Sequence, residues 1–401
     1  MNNTNSYDYL IIGAGIIGLA IAKTLVEKYP KKKIFIIEKE NQVACHSSGR
    51  NSGVLHAGFY YTSNSLKAKF TRDGNIEMTQ FCLENNLKIN RCEKVVIANN
   101  EDELKTLEEL YHRGIANGVD VELISEDELT IKFPNVKTFK RALYSKNTST
   151  VDPVEISLFL HKQLENKGIE FSFNERYITN LGNNTIRTTK HQKIHAKKII
   201  NCAGLYADKI AKDFGFSQDY TIIPFKGLYL KYTKTDKPIN TNIYPVPNLK
   251  NPFLGVHYTI TVDGTIKIGP TAIPVFWREG YKGLKNFNLS EFFEISMYEL
   301  KLFATNAFNF RTLAYEEMKK YYKSYFISLA LKMTKKIDKN AFNEWSKPGI
   351  RAQLLNTKTL ELLQDFVVES DNNSVHVLNA VSPAFTSSFP FARWVVENHL
   401  E

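Results

Sequence analysis

Cysteine is scarce in this chain, and its placing excludes two architectures. Cys45, Cys82, Cys92 and Cys202 lie far apart among 401 residues and form no C-x-x-C pair. Neither a disulfide framework nor a metal site is expected, and reduced thiols fit a cytosolic protein. No segment reads as a membrane span, no tract is low-complexity, and neither an internal repeat nor a long Gly/Ser-rich linker is present. Acidic residues are outnumbered, leaving a net charge of +10. That balance suggests an anionic partner: nucleic acid, a lipid surface or an acidic small molecule. No RNA-binding signature and no dense Arg/Lys cluster with interleaved aromatics accompanies it, so nucleic acid is not expected. The length fits two domains, and without a linker they are expected to interleave.

The residues that are present speak first at the N-terminus. Tyr9 to Ile12 form an uncharged apolar run suited to a central parallel strand, and Gly13, Gly15 and Gly18 follow in G-x-G-x-x-G spacing. Gly13 allows the turn, Gly15 admits a pyrophosphate to the backbone, and Gly18 with Ala22 lets a helix lie close on the strand. The free N–H groups and positive dipole end of that helix suit the pyrophosphate charge. A second strand, Lys33 to Ile37, ends at Glu38, about twenty residues past Gly18. A carboxylate there can accept from both hydroxyls of an adenosine ribose and would repel the extra phosphate of NADP. A dinucleotide-binding βαβ unit is the reading.

Beyond Glu38, Cys45 to Tyr61 is rich in Gly, Ser, Asn and His and reads as a binding loop. Lys198 to Gly204 reads as a strand and glycine turn that rejoins the first sheet. Val375 to Ala380 gives a further strand, followed by Ser382 to Ser388 and a hydroxyl-capped final helix to about Leu400. Tyr220 to Ile273 has short β-rich runs, turn signals and prolines, which suggests a second domain on an antiparallel sheet. Residues 284–336 are rich in Phe, Tyr and Lys. Met318, Tyr322, Tyr325, Phe326, Leu329 and Met333 follow helical spacing among lysines, which fits a helix packed on its own domain or a basic amphipathic helix on anionic lipid. The fold class is therefore α/β: a Rossmann-like dinucleotide-binding domain (1–85, 150–218, 345–401) interleaved with an α+β substrate domain (86–149, 219–344) built on an antiparallel sheet.

With these segments, the chain resembles the FAD-dependent oxidoreductases of the D-amino-acid-oxidase-like superfamily, and within it the L-2-hydroxyglutarate dehydrogenases and oxidases. The superfamily part is the glycine motif with Glu38, the Asn201-Cys202-Ala203-Gly204 turn and the Ser382-Pro383-Ala384 loop. The more specific part is Gly49 to Gly58, Asn251 to Tyr258, Gly269 to Ala272, Arg278 to Tyr281 and Gly349 to Gln353. The resemblance implies FAD as cofactor. Gly13, Gly15 and Gly18 would then cradle its pyrophosphate, Glu38 the ribose, Ser47, Ser48 and Asn51 the phosphate and ribityl region. Ala203 and Gly204 would border the cofactor. Gly349, Ser382, Pro383, Ala384 and Thr386 would lie near the flavin ring, where the final helix's dipole could stabilise negative charge.

The implied reaction is oxidation of L-2-hydroxyglutarate to 2-oxoglutarate, with electrons passed to a quinone or oxygen. It needs a hydride acceptor, a base and cations for two carboxylates. The flavin accepts the hydride, and a neutral histidine suits the proton. His257 comes first, because it lies in the expected substrate sheet, and His56 second; either could instead be a core or flavin-packing residue. Arg351 leads for the carboxylates, with Arg278, Arg50 and Lys226 behind it. Tyr60, Tyr244 and Tyr258 could close the pocket. Three alternatives stay open: an amino-acid, sarcosine or glycerol-3-phosphate oxidoreductase of the same fold, an RNA-modifying flavoprotein, and a non-catalytic dinucleotide-binding protein. The expected location is the cytoplasm, with peripheral contact to the inner face of the membrane as a variant.

Overall fold

The computed structural model describes residues 6–191, 193–247 and 253–400. Asn251 and Pro252, which open one of the motifs above, lie outside the described residues. Two units emerge, each assembled from distant segments: Met1–Asn51, Pro153–Pro224 and Arg351–Glu401 form the first, Ser52–Asp152 and Phe225–Ile350 the second. The chain passes between them four times, twice inside the strands Tyr220–Gly227 and Gly349–Asn356 and twice outside any strand, at Asn51/Ser52 and Asp152/Pro153.

The first unit is a parallel sheet in the order Glu170–Ser172, Ile34–Ile37, Ser6–Ile12, Ile194–Asn201, Ser374–Asn379. Leu10 and Ile11 are neighbours in sequence and both are fully buried. Consecutive residues point to opposite faces, so this strand is covered on both sides, which is why it reads as a run and not an alternation. The helix Ile16–Lys28 packs on it through Leu19, Ala22 and Leu25. Each such apolar side chain contributes about 1.5–3 kcal/mol when fully buried, less for alanine. Val367–Ser370 adds antiparallel to Ser374–Asn379, and the hairpin Tyr177–Asn180/Thr185–Thr188 adds antiparallel to Ile194 and His195.

An eight-stranded sheet carries the second unit, in the order Phe342–Trp345, Leu230–Tyr232, Ile266–Gly269, His257–Ile260, Asn242–Pro245, Lys94–Ile97, Arg141–Ser145, Glu122–Ser125. All pairs are antiparallel except Asn242–Pro245 with Lys94–Ile97. One face buries Val95, Ile97, Ile243, Tyr258 and Ile260; the other packs Val96, Leu143 and Tyr244 against Phe59 and Tyr60. His257 alternates with Tyr258 and so shares the face of Tyr244.

Two sequence expectations change here. Residues 52–85 group with the second unit, because Val54–Leu55 pairs with Ser149–Val151, Asn75 Nδ2 donates to the Leu55 carbonyl at 3.0 Å, and Phe59 and Tyr60 join that unit's core. The single amphipathic helix around 318–333 is instead two helices, Phe310–Lys319 and Lys323–Leu331. Of that stripe Phe326 and Met333 are buried in the sheet's core and Leu329 packs against it, while Met318 and Tyr322 are exposed, so its C-terminal half has a packing role. A longer exposed apolar face lies on the preceding helix, Leu289–Thr305.

Candidate functional site

In the first unit the glycine turn is set by steric demand. Gly13 has φ +107°, and a Cβ there would stand 2.6 Å from the Cys202 carbonyl oxygen. A Cβ on Gly18 would meet the Gly13 carbonyl oxygen at 2.1 Å, so only glycine permits this approach of helix to strand. Ser48 Oγ accepts from the Ile16 N–H at 2.9 Å, tying the turn Ser47–Gly49 to the start of the helix, whose first turn holds no acid. The helix's positive end is thus left for an external anion.

Glu38 bends back onto the same turn. One carboxylate oxygen accepts from the Ala14 N–H at 2.8 Å and the other from the Glu40 N–H at 3.0 Å. An ionised carboxylate has about four acceptor positions, so room for two ribose hydroxyls remains. Asn51 spends its amide nitrogen on the Ser47 and Ser48 carbonyls, at 3.2 and 2.7 Å, and so braces the turn. Ala203 follows the strand Ile194–Asn201, its N–H bonded to Asn201 Oδ1 at 3.2 Å, and Gly204 takes φ +54°. Ser382, Pro383, Ala384 and Thr386 precede the helix Ser388–His399, whose first turn also lacks an acid. The expected hydroxyl cap is absent there: Ser387 at the cap position makes no capping hydrogen bond. The glycine cradle, the open helix end and the Glu38 carboxylate fit the pyrophosphate and adenosine ribose of FAD.

The second unit brings together His56, Tyr60, Tyr244 and His257, which the sequence proposed, with Lys94, which it did not. The loop bearing His56 and Tyr60 is pinned through its backbone: Asn117 Nδ2 donates to the Gly58 and Tyr61 carbonyls at 3.0 and 2.9 Å, and Arg113 donates to the Tyr60 carbonyl at 3.3 Å. His257 stacks on Tyr244, with ring centroids 3.7 Å apart, and its Nδ1 lies 2.8 Å from the Gly255 carbonyl oxygen. A carbonyl only accepts, so the proton of the neutral ring sits on Nδ1 and Nε2 keeps its lone pair. Burial, with smaller repulsion from Lys94 and Lys320, lowers the His257 pKa to about 3. Burial, then Lys94 and His257, likewise hold His56 well below the usual histidine range. Both rings are therefore neutral at cellular pH. The Tyr60 hydroxyl is buried without a hydrogen-bond partner.

Lys94 is fully buried, its Nζ 3.4 Å from His56 Nδ1 and 4.3 Å from the Tyr244 ring centroid. In the sequence it opens an apolar run after Glu93 and looks like a solvated strand-end charge. The one available signal was parity: Lys94, Val96 and Ala98 alternate onto one face.

Other candidates stand elsewhere. Tyr258 faces the opposite side of the sheet, fully buried, with its hydroxyl 3.3 Å from Thr334 Oγ1, so it does not join the histidine cluster. Arg278 is fully buried near Glu294, at 3.8 Å, and its backbone N–H donates to Glu291. That placing gives it a structural counter-ion. Arg50 Nε donates to the Cys45 carbonyl at 2.7 Å and Arg351 Nε to Gln353 Oε1 at 2.9 Å, both within the first unit. Lys226 is half-buried on the strand Tyr220–Gly227, its pKa lowered by burial. Gly349 opens the strand Gly349–Asn356.

This combination of a parallel dinucleotide fold and a buried polar cluster on an antiparallel sheet defines a two-unit flavoenzyme. The chain matches the FAD dependent oxidoreductase (DAO) family over residues 8–398 and belongs to it. FAD is its cofactor, and it is an enzyme acting on a CH–OH group. It is 33% identical to the L-2-hydroxyglutarate dehydrogenase of Escherichia coli (strain K12), over 97% of this chain and 92% of that protein. The mitochondrial L-2-hydroxyglutarate dehydrogenase of Homo sapiens is 33% identical over 98% of this chain and 89% of its own length. Among solved structures, the dithionite-reduced L-alpha-glycerophosphate oxidase from Mycoplasma pneumoniae with FAD bound aligns with TM-score 0.74 at 23% identity, covering 98% of this chain and 94% of that one. Glycine oxidase from Geobacillus kaustophilus aligns with TM-score 0.70 at 15% identity, with 98% and 94% covered. At these identities the structures speak for the fold alone.

Proposed function

We propose that the protein oxidises L-2-hydroxyglutarate to 2-oxoglutarate. The observation that carries this reading is the near full-length identity to L-2-hydroxyglutarate dehydrogenases of bacteria and animals. FAD, when bound, supplies the acceptor for the C2 hydride and its electron pair. The chain's own part is to hold the cofactor, seat two carboxylates and remove one proton. Gly13, Gly15, Gly18, Ser48 and Glu38 do the first. For the carboxylates Arg351 and Lys226 are taken first, with Arg278, which has Glu294 at 3.8 Å, and Arg50, whose Nε is bonded to the Cys45 carbonyl, behind them.

For the proton, the order of the two histidines is reversed. His257 has its proton fixed on Nδ1 by the Gly255 carbonyl, which cannot relay it onward, and like His56 it has too low a pKa to keep a second one at neutral pH, so it packs on Tyr244 and leaves the hydroxyl's single proton to His56. His56, with a basic group behind it, takes the proton. Tyr60, its hydroxyl without a partner, donates to the substrate.

Electrons leave to a quinone or to oxygen. The exposed apolar stripe Leu289, Phe293, Met297, Leu300 and Phe303, on a helix whose other face buries Ile295 and Leu302, supports contact with a bilayer where a quinone resides. Exposed Lys282, Lys285 and Lys301 and the net charge of +10 favour an anionic lipid surface. No described helix is long and apolar enough to cross a membrane.

The test is anaerobic reduction of the bound flavin by a panel of L-2-hydroxyglutarate, its D enantiomer, L-lactate, glycine, sarcosine and glycerol 3-phosphate. Rapid bleaching by L-2-hydroxyglutarate with slow or no response to the others is expected. Preferred reduction by an amino acid or a phosphate ester would reject the reading.

A further inference from the structure

Lys94 is a charged side chain in a place that ordinarily excludes charge. Its cross-strand neighbours are Asn242 and Ser145, so it emerges from the middle of the eight-stranded sheet. It is 0% exposed. Its Nζ lies 4.3, 5.4 and 5.6 Å from the ring centroids of Tyr244, Tyr60 and Phe59, and 3.4 Å from His56 Nδ1. No carboxylate is among the charges that act on it. A group this enclosed does not meet substrate, so any part it has in the chemistry runs through its polar contact, the imidazole of His56.

We propose that Lys94 is a positioning residue that completes proton removal: His56 Nε2 takes the proton of the substrate hydroxyl while His56 Nδ1 passes its own proton to Lys94 Nζ. The inference rests on the 2-hydroxy-acid oxidation proposed above. The hydroxyl O–H bond breaks as Nε2–H forms, and Nδ1–H breaks as Nζ–H forms. The electron pair of the C2–H bond leaves with the hydride, and the hydroxyl oxygen becomes the keto oxygen. One proton has then moved from substrate to lysine, and the imidazole ends neutral.

The energetics favour the lysine as the proton's resting place. Neither histidine alone retains a proton near neutrality, because burial depresses both. Burial lowers Lys94 from 10.5 to about 7, so near neutrality much of it is the free amine and ready to accept. The other titratable groups around it, the Tyr60 and Tyr244 phenols and the Cys92 thiol, are pushed upward by burial and stay neutral. Lys94 is thus the member of the cluster that changes charge in this range.

The experiment uses FAD-loaded wild type, Lys94→Met, Lys94→Arg and His56→Asn. Two quantities are measured against pH: anaerobic flavin reduction by L-2-hydroxyglutarate, and the affinity of the oxidised enzyme for 2-oxoglutarate, which has no proton to lose. The wild-type reduction rate should rise through about pH 7 and level off, because the free amine is the competent form. Lys94→Met should lower the plateau by about 100-fold or more and remove the limb near neutrality. Lys94→Arg should do the same, since a guanidinium stays charged. Binding of 2-oxoglutarate should change little in either. His56→Asn combined with Lys94→Met should be no slower than His56→Asn alone, as for residues acting as one unit. An intact limb and near wild-type rate in Lys94→Met would overturn the proposal, as would an Arg variant that behaves like wild type. Loss of 2-oxoglutarate affinity with reduction intact would instead make Lys94 a carboxylate anchor and also overturn it. Wild type that the diacid fails to reduce at any pH would reject the substrate reading, and this step with it.

Discussion

Replacing Lys94 by methionine should make the protein more stable at neutral pH while it slows the chemistry. Burial brings this lysine from 10.5 to about 7. At about 1.4 kcal/mol per tenfold change in proton affinity, that drop disfavours the folded state by roughly 5 kcal/mol wherever the unfolded chain stays protonated. The aromatic rings around Nζ return about 1–2 kcal/mol as cation–π attraction. Methionine has similar bulk, no charge and favourable contacts with aromatic faces, so the variant should gain about 2–4 kcal/mol. For a unit of this size that is roughly 5–12 °C in Tm. The pH dependence follows from the same numbers. Between the folded value near 7 and the unfolded value near 10.5, the unfolded chain binds more protons, so wild-type stability rises with pH across that window. Methionine has no such term. The gap between variant and wild type should therefore be widest at or below about pH 6.5 and should close toward about pH 10. Thermal unfolding of both FAD-loaded proteins across this range is the assay, and comparing the two cancels the titration of other groups. A variant less stable than wild type at pH 7, or a gap that does not change with pH, would refute the reasoning.

Glu38→Ala should weaken FAD retention about thirty- to several-hundred-fold, from loss of roughly 2–4 kcal/mol of charged hydrogen bonding, as read by flavin absorbance after dialysis. Gly18→Ala should yield protein with little bound FAD and a lowered Tm, because the new Cβ would lie 2.1 Å from the Gly13 carbonyl oxygen and the helix must move off the strand; normal flavin content would contradict this. Arg351→Met and Lys226→Met should each be compared for kcat/KM with L-2-hydroxyglutarate, where removal of a buried carboxylate partner costs about 2–5 kcal/mol; an unaffected variant loses its candidacy. Phe293→Glu with Leu300→Glu should abolish co-sedimentation with anionic liposomes, which in wild type should fall as salt rises, while leaving flavin reduction in solution intact; equal, negligible binding of wild type to neutral and anionic vesicles would remove the bilayer contact.

The dinucleotide half of the molecule was legible because its constraints are local. A Cβ at Gly13 or Gly18 would strike backbone a few residues or one strand away, and the spacing to Glu38 is fixed by one helix and one strand. The substrate half was only partly legible. His257 could be placed on a sheet from its neighbours, but its partner, the Gly255 carbonyl, is a backbone atom that no side-chain pattern reports. The boundary near residue 51 was missed because Val54–Leu55 is a two-residue strand whose partner lies almost a hundred residues on, at Ser149–Val151. The stripe at 318–333 had helical periodicity, yet periodicity says which side is apolar and not what covers it. Phe326 and Met333 turn into the core, Met318 and Tyr322 stay exposed, and a longer exposed stripe lies on the helix Leu289–Thr305.

Lys94 shows where reading from sequence must fail. A lysine before Val95, Val96 and Ile97 is most often a strand-end charge in water, and apart from its alternation with Val96 and Ala98 nothing local distinguishes that case from this one. The difference arises from residues at distance: Asn242 and Ser145 put a strand on each side of it, and the loop carrying Phe59 and Tyr60 closes over it. Burial without a carboxylate lowers stability, and a chain under selection for stability alone would favour methionine or leucine there. A cost of several kcal/mol at a single position, next to a histidine on the face that carries the candidate chemistry, is the pattern expected when a perturbed pKa serves a reaction. The stability gain and the rate loss in Lys94→Met are thus two readings of one physical fact, the price of keeping an amine dry. If both appear together, the cluster is functional; a gain without a rate loss would leave Lys94 as an unused charge.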